Sequence, residues 1–256
     1  MKQQVVPSDT KPSRTQHMRI AESFDKLSPG YGTPTDGGRP DLQAKVRKVA
    51  AGLVAKGSHG NILDAGCGNG ALTLSLAKHG HYSSLVGVDF SWGMLRVLAD
   101  RVEALEDQRG HDSVERLHLS QALLERLPFA SGAFDTVICV NTLHNLCSEE
   151  AVRMAVGELI RVCKANGELI LEIHNASNPV VRRHFARYSK PHMPTIPYTV
   201  KWLRSVLEQG GFAVRRKVPV GLPVATIAPF VVIKAERANL GNSQSRLSSD
   251  VDSPFC

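Results

Sequence analysis

The chain has 256 residues, of which 42% are hydrophobic and 21% are charged, enough apolar material for one sizeable core. The longest apolar run, "LPVATIAPFVVI" at 222–233, is too short and too rich in proline to cross a bilayer, so we expect no membrane partner. The five cysteines form no CxxC pair, which argues against a disulfide framework or a zinc site and indicates a cytoplasmic protein with no metal.

The formal net charge of +7 is concentrated in one segment. Residues 176–217 contain nine lysines and arginines but a single glutamate, Glu208. The rest of the chain is therefore nearly neutral, and any attraction for an acidic partner must be local to this segment.

The chain order predicts an α/β protein. Residues 1–40 are rich in turn-forming residues and read as a partly flexible N-terminal extension, whereas residues 41–56 have helical apolar spacing. Strands are predicted at 61–65, 84–89, 114–119, 134–140 and 167–173, and helices at 70–79, 91–107, 148–164 and 198–209. The closing apolar runs 212–218 and 227–235 have no helix between them, so they should pair antiparallel. The pattern predicts a doubly wound, mostly parallel seven-stranded sheet, Rossmann-like, with an antiparallel last strand.

We expect one domain over residues 41–237, followed by a disordered tail at 238–256 that has no periodicity. An insertion at 176–199 follows the fifth predicted strand and carries Phe185, Tyr188 and several arginines.

The stretch "NILDAGCGNGALTLSLAKHG", residues 61–80, places Asp64 and three alternating glycines between a strand and a helix. A glycine turn that leads into a helix N-terminus is a common binding site for adenosine-type cofactors. "GCGNGA" also satisfies the dinucleotide pattern, with Asp89 as the carboxylate for the ribose. The turn alone therefore leaves the identity of the cofactor open.

A longer series of motifs distinguishes the alternatives. "ILDAGCGNGALTLSLA", "LVGVDFSWGML", "RLPFASGAFDTVICVNTLHNL" and "RVCKANGELILEI" resemble, in order, the motifs of class I S-adenosylmethionine-dependent methyltransferases. "FDKLSPGYG" at 24–32 is similar to that family's N-terminal "FDxxAxxYD", with departures at Ser28 and Gly32. The resemblance covers residues 41–235 and implies S-adenosylmethionine as the cofactor instead of a nicotinamide dinucleotide.

The resemblance also implies a set of cofactor-binding residues. Asp64 would act on the cofactor's amino group, or alternatively cap the turn. Asp89 would accept both ribose hydroxyls, or alternatively cap the helix that begins at Ser91. Side chains at Gly66 or Gly68 would project into the cofactor's space. The full predicted set is Tyr31, Asp64, Gly66, Cys67, Gly68, Asp89, Phe90, Gln121 and Asn141, in which Phe90 either stacks on adenine or belongs to the core.

The adenine contact departs from the family's pattern. An acidic residue is expected shortly before "LPF", but Leu123 stands at that position in "LSQALLERLPF". Gln121 is the substitute we predict, and Glu125 is the remaining option.

The acceptor is expected above the carboxyl ends of the central strands. "NTLHN" and "EIHNASN" follow two of these strands and supply His144 and His174 as candidate general bases, since imidazole titrates near neutrality. Each histidine could equally be a packed or capping residue. The 176–199 insertion resembles the cap that small-molecule members of the family build over the acceptor, and its arginines suit an anionic group.

The sequence thus predicts S-adenosylmethionine-dependent methyl transfer to a small organic acceptor, such as a biosynthetic intermediate. One alternative is a nucleic-acid-modifying methyltransferase that uses the basic 182–217 segment, although the chain has few aromatics for base stacking. The other alternative is a cofactor-binding protein without catalysis.

Overall fold

A computed structural model describes residues 14–28, 41–54, 60–79, 82–109, 116–189 and 194–238. Tyr31 and most of the predicted tail therefore lie outside the described residues. The helices are α1 Arg14–Leu27, α2 Leu42–Leu53, α3 Thr73–His79, α4 Trp92–Arg109, α5 Glu149–Val162, α6 Pro179–Tyr188 and α7 Val200–Gln209. The strands are β1 Asn61–Ala65, β2 Ser84–Asp89, β3 Leu117–Gln121, β4 Phe134–Cys139, β5 Cys163–His174, β6 Phe212–Val220 and β7 Phe230–Arg237.

The strands form one seven-stranded sheet in the order β3-β2-β1-β4-β5-β7-β6. Strands β1 to β5 pair in parallel, and β7 lies antiparallel between β5 and β6. The strand order reverses next to β1, so the carboxyl ends of β1, β2 and β4 meet at a crevice suited to a ligand. The predicted fold class is confirmed, including the antiparallel last strand.

Alternate residues of the central strands supply two cores, one on each face of the sheet. Leu63, Val137 and Leu169 pack with α5 and α7 on one face, and Ile62 and Ile138 pack with α2 and α3 on the other. All five are at most 2% exposed. Both faces are thus covered by helices, which explains why these strands are continuously apolar.

Helix α1 was not predicted, because the turn formers and polar residues of 1–40 obscured it. Its signal is the pair Ile20 and Phe24, one helical turn apart, which are buried against Met94 of α4. Asp25 Oδ1 accepts hydrogen bonds from Ser91 Oγ at 2.5 Å and from Gly93 N at 2.9 Å. These contacts attach α1 to the first turn of α4.

Helix α6 was not predicted either, since it lies in the proline-containing insertion at 176–199. Elsewhere the differences from the predictions are small shifts of boundaries. Helix α3 begins at Thr73, since residues 70–72 still belong to the glycine turn. The third strand lies at 117–121 instead of 114–119, and β5 begins four residues early, at Cys163. None of the described helices combines the length and apolar character that crossing a bilayer requires.

Candidate active site

A cavity opens at the carboxyl ends of β1, β2 and β4. It encloses about 1190 Å³ of free space, part of which is open to solvent. Its walls come from the glycine turn, from the loops after β3 and β4, and from α1 through His17, Ile20 and Phe24. Seven of the residues predicted to bind the cofactor line it: Asp64, Gly66, Cys67, Gly68, Asp89, Phe90 and Asn141.

Asp64, the residue before the last of β1, is a buried carboxylate that lines the cavity. Thr73 Oγ1 donates to Asp64 Oδ2 at 2.6 Å, so the carboxylate also ties the first residue of α3 to β1. Burial raises the pKa of Asp64 to about 6, and the nearby charge of Asp89 adds to this shift, whereas the Thr73 hydrogen bond opposes it. A positively charged group in the cavity would favour its ionised form.

The three glycines of the turn all have positive φ but face different surroundings. A Cβ at Gly68 would meet nothing within 4 Å, so this backbone is open to the cavity as predicted. At Gly66 a Cβ would lie 2.3 Å from the Thr142 side chain instead of projecting into the cofactor's space as predicted, because the loop after β4 packs on the turn; Gly66 itself still lines the cavity. At Gly70 a Cβ would lie 2.0 Å from Leu98 Cδ1 of α4.

Asp89 at the end of β2 holds the glycine turn against α4. Its Oδ2 accepts from Gly68 N at 2.9 Å and its Oδ1 accepts from Ser91 N at 2.9 Å. The N-cap of α4 is Ser91, whose Oγ accepts from Met94 N at 3.1 Å. Asp89 is therefore not the N-cap itself. Burial raises its pKa, while its bonds to backbone N–H groups of Ser91 and Gly68 lower it.

Cys67 and Phe90 differ in their access to the cavity. The Cys67 thiol is buried against Leu95 and Leu98, and burial raises its pKa well above the usual value. That environment suits a packed side chain and disfavours a thiolate nucleophile. Phe90 is half-buried, lines the cavity, and meets Phe24 of α1 edge to face at 5.6 Å between ring centroids.

The loop after β3 brings Glu125 to the cavity, not Gln121. Gln121 is exposed, and its Nε2 donates to the Phe90 carbonyl oxygen at 3.0 Å from an adjoining outer groove. Glu125 lies on the cavity wall, with Oε1 3.1 Å from His17 Nε2. Its Oε2 is buried without a hydrogen-bond partner among the described residues. The structure places Gln121 outside the main cavity, because the loop turns inward after β3 and carries Leu123 and Leu124 to the wall; its contact with adenine stays a prediction.

Asn141 is held in a left-handed conformation, with φ of 56°, at the end of the β4 strand region. Its N–H donates to Glu172 Oε2 of β5 at 2.9 Å, and its own Oδ1 is buried with no partner in the part of the chain described. Glu172 is 1% exposed, and this burial raises its pKa to about 8. The carboxyl group thus supports a strained backbone on the cavity wall.

His144 and His174 are brought together but lie behind this wall. Their rings stack with centroids 3.8 Å apart, and Phe185 of α6 contacts both edge to face. Neither ring is among the described residues that line the cavity. Burial lowers the pKa of His144 to about 4 and that of His174 well below its ordinary value, so both are neutral near pH 7.

Glu172 stands beside the stacked pair. Its Oε1 lies 3.7 Å from His174 Nε2, and neither atom has a hydrogen-bond partner within the described ranges. Together with His144 these are potential metal ligands whose donor atoms all lie within 4.8 Å of one another. Two stacked rings would have to rotate before their nitrogen lone pairs converged on one ion.

Comparisons with known proteins identify the family. A family model described as a methyltransferase domain matches residues 62–167. The ubiquinone/menaquinone biosynthesis C-methyltransferase UbiE of Syntrophotalea carbinolica is 30% identical over 174 residues, which cover 68% of this chain and 69% of that protein. The chain belongs to the class I S-adenosylmethionine-dependent methyltransferases. It is an enzyme, and S-adenosylmethionine is its cofactor.

Solved structures share the fold of this methyltransferase. The magnesium protoporphyrin IX methyltransferase of Synechocystis PCC 6803, with bound SAH, has a TM-score of 0.62 at 22% identity and covers 88% of this chain and 98% of its own. The Burkholderia thailandensis 1,6-didemethyltoxoflavin-N1-methyltransferase has a TM-score of 0.65 at 16% identity, with 91% and 95% covered. At such identities the likeness shows the fold alone.

Sequence reasoning missed two features of this methyltransferase site. Helix α1 contributes His17, Ile20 and Phe24 to the wall, and its signal was the Ile20–Phe24 spacing. Glu172 was also missed. A carboxylate inside the apolar strand "LILEIH" is a recognisable signal, because a buried carboxylate needs a partner.

Proposed function

We propose that this methyltransferase transfers the methyl group to a small organic acceptor that enters beside Asn141, beneath α6. The observation that carries the proposal is a single cavity that is lined by Asp64, Gly68 and Asp89 and also by Asn141. The cavity is enclosed by α1, which favours a compact acceptor over a polymer.

We propose that the cofactor lies along the glycine turn. Its methionine part would rest on the open face of Gly68, and its amino group would face Asp64. Asp89, which has free lone pairs beside its two backbone contacts, would accept the ribose hydroxyls. Cys67 and Gly66 would contribute packing, and Phe90 would flank the adenine.

We propose that three further residues contribute to the cofactor site. Glu125, which lines the cavity and has a carboxylate oxygen without a partner among the described residues, would accept the adenine amino group in the role expected of Gln121. Tyr31 remains a candidate from the N-terminal motif, outside the described residues. Asn141 would direct its side-chain oxygen towards the methyl-transfer region.

For an acceptor that must lose a proton, we propose that His174 is the general base and His144 the ring that orients it. Both rings are neutral near pH 7, so each has a lone pair that can accept a proton, but burial makes both of them weak bases. Because neither ring lines the cavity, this role also requires the acceptor to reach past the wall at Asn141. Replacing His174 with Asn should then lower kcat by about 10²- to 10⁴-fold with unchanged cofactor affinity. An unaltered kcat and pH profile would return both rings to a packing role.

The cellular setting belongs to the same proposal. Four cysteines are free and buried, namely Cys67, Cys139, Cys147 and Cys163. Free thiols support a reducing compartment such as the cytoplasm. The positive charge of α6 suits an acceptor that bears a carboxylate or phosphate, which its exposed arginines would attract from outside the cavity.

The test is methyl transfer from labelled S-adenosylmethionine to a panel of small phenols, quinols, amines and carboxylates, with total RNA in parallel. The proposal is supported if the label appears in a small molecule and if Asp89→Asn abolishes this turnover. Label in RNA alone would establish the nucleic-acid alternative. Tight cofactor binding without label in any fraction, including a lysate extract, would favour the non-catalytic alternative.

A further inference from the structure

The loop between β6 and β7 presents apolar side chains to solvent. Residues 221–229, "GLPVATIAP", contain no charged residue, and Leu222, Val224 and Ile227 are 44%, 50% and 49% exposed. Exposed loops in water ordinarily carry polar side chains, so an apolar tip of this length indicates a surface that is covered when the protein works.

The same loop directs its backbone carbonyls inward. Asn175 Nδ2 donates to the carbonyl oxygens of Ala225, Thr226 and Ala228 at 3.0–3.2 Å. Asn178 Nδ2 donates to the carbonyl of Ile227 at 2.6 Å. An unpaired carbonyl group would be costly in an apolar medium. Because the carbonyls of this loop are hydrogen-bonded and its apolar side chains protrude, the loop is suited to enter such a medium.

Helix α6 begins where this loop is attached and adds positive charge. Asn178 is its N-cap, accepting from Val180 N and Val181 N, and the helix contacts the domain through Val181 and Phe185. The rest of the helix is exposed, including an aromatic residue and all its basic residues: Tyr188, Arg182, Arg183 and Arg187. Residues 175–189 and 221–229 contain no aspartate or glutamate.

Although no membrane partner was expected from the sequence, we propose that the protein binds the surface of an anionic phospholipid bilayer through a loop–helix face, made of Leu222, Val224 and Ile227 together with Arg182, Arg183 and Arg187. The apolar tip enters the headgroup boundary while the arginines contact lipid phosphates, and Tyr188 has the amphipathic ring typical of that depth. A second copy of the chain is disfavoured as the occupant, because it would bring two purely basic helices together.

This binding would orient the active site towards the bilayer. The loop begins after Val220 and ends at Phe230, which pairs with His174 at the carboxyl end of β5. Phe185 on the inner side of α6 contacts the stacked histidines. The loop–helix face therefore lies next to the stacked histidines, which is the acceptor side if the proposed function holds.

The experiment is co-sedimentation of the full chain with vesicles of phosphatidylcholine alone or in an equimolar mixture with phosphatidylglycerol. We expect binding to the mixed vesicles. Leu222→Ser with Ile227→Ser should weaken it at least tenfold, and Arg183→Ala with Arg187→Ala should weaken it about 25-fold, at about fivefold for each arginine. Because these side chains are exposed, thermal unfolding should be unchanged.

The matched control is Arg215→Ala with Arg216→Ala, which removes the same charge from exposed positions in the first half of β6. This pair should weaken binding by no more than about threefold. Equal loss from both arginine pairs would reduce the effect to net charge and overturn the proposal. The proposal would also be overturned if the wild-type protein did not bind the mixed vesicles, or if it formed a dimer that Leu222→Ser with Ile227→Ser dissociates. Arginine-dependent binding to RNA that exceeds binding to the mixed vesicles would overturn it as well.

Discussion

Substituting alanine at Gly68 and at Gly70 tests the cofactor site, because the same change has different consequences at two positions of one turn. Gly68 has φ of 53° and Gly70 has φ of 83°, so alanine is strained at both and costs about 1–2 kcal/mol of folding stability. The lower entropy of the unfolded alanine chain returns about 0.4–1 kcal/mol. Backbone strain therefore leaves a net cost of about 1 kcal/mol at each position.

The surroundings separate the two variants. At Gly68 the new methyl group meets nothing within 4 Å, so the ligand-free protein should lose little more than the strain. At Gly70 it would lie 2.0 Å from Leu98 Cδ1, and Leu98 is fully buried and cannot swing outward. Overpacking of this kind costs about 1–3 kcal/mol, so Gly70→Ala should lose about 2–4 kcal/mol in total.

Cofactor affinity should show the opposite order. The methyl group of Gly68→Ala would occupy the space proposed for the cofactor, and a similar clash of about 1–3 kcal/mol weakens binding about 5- to 150-fold. Gly70 does not contribute to the described cavity wall, so folded Gly70→Ala should bind within about threefold of wild type. Urea unfolding and calorimetric titration with S-adenosylhomocysteine measure the two quantities. Unchanged affinity in Gly68→Ala would falsify the proposed cofactor position, and unchanged stability in Gly70→Ala would contradict the packing of Leu98.

Two further predictions concern the carboxylates. Asp89→Asn should weaken the cofactor about 30- to 1000-fold in calorimetry. It should also cost about 1–3 kcal/mol of folding stability. The two oxygens of Asp89 accept from Gly68 N and Ser91 N, whereas asparagine has a single acceptor oxygen and leaves one of these N–H groups without a partner. Ser91→Ala, which removes the cap of α4 and the bond to Asp25 that helps to attach α1, should cost about 1–3 kcal/mol of stability and weaken the cofactor much less than Asp89→Asn does; the reverse ranking would remove Asp89 from the site. Asp64 has a raised pKa of about 6, so the ligand-free protein loses stability as pH rises from about 3.8 through 6. A cationic cofactor should lower that pKa, so binding should strengthen with pH through 6 and release a proton. Calorimetry near pH 6 in buffers of different ionisation enthalpy should detect this proton in wild type and not in Asp64→Asn; equal enthalpies in wild type would refute it.

Local sequence was sufficient for the seven strands and their order along the chain, and for the described helices other than α1 and α6. The bounds of β1 and β2 match their predicted ranges, because a buried strand is a short apolar run closed by turn residues. The glycine turn and the positions of Asp64 and Asp89 at strand ends were also readable, since a turn's chemistry depends on its immediate neighbours. The family resemblance then indicated the cofactor, and the relatives confirm it.

Tertiary structure decided what each side chain faces, because those contacts join residues far apart in the chain. Gly66 packs on Thr142, Asn141 is held by Glu172, and the two histidines stack behind the cavity wall. Periodicity states whether a residue is buried but not which distant element covers it. For the same reason Glu125 and Gln121, four residues apart in one loop, could not be ranked until the path of that loop was known.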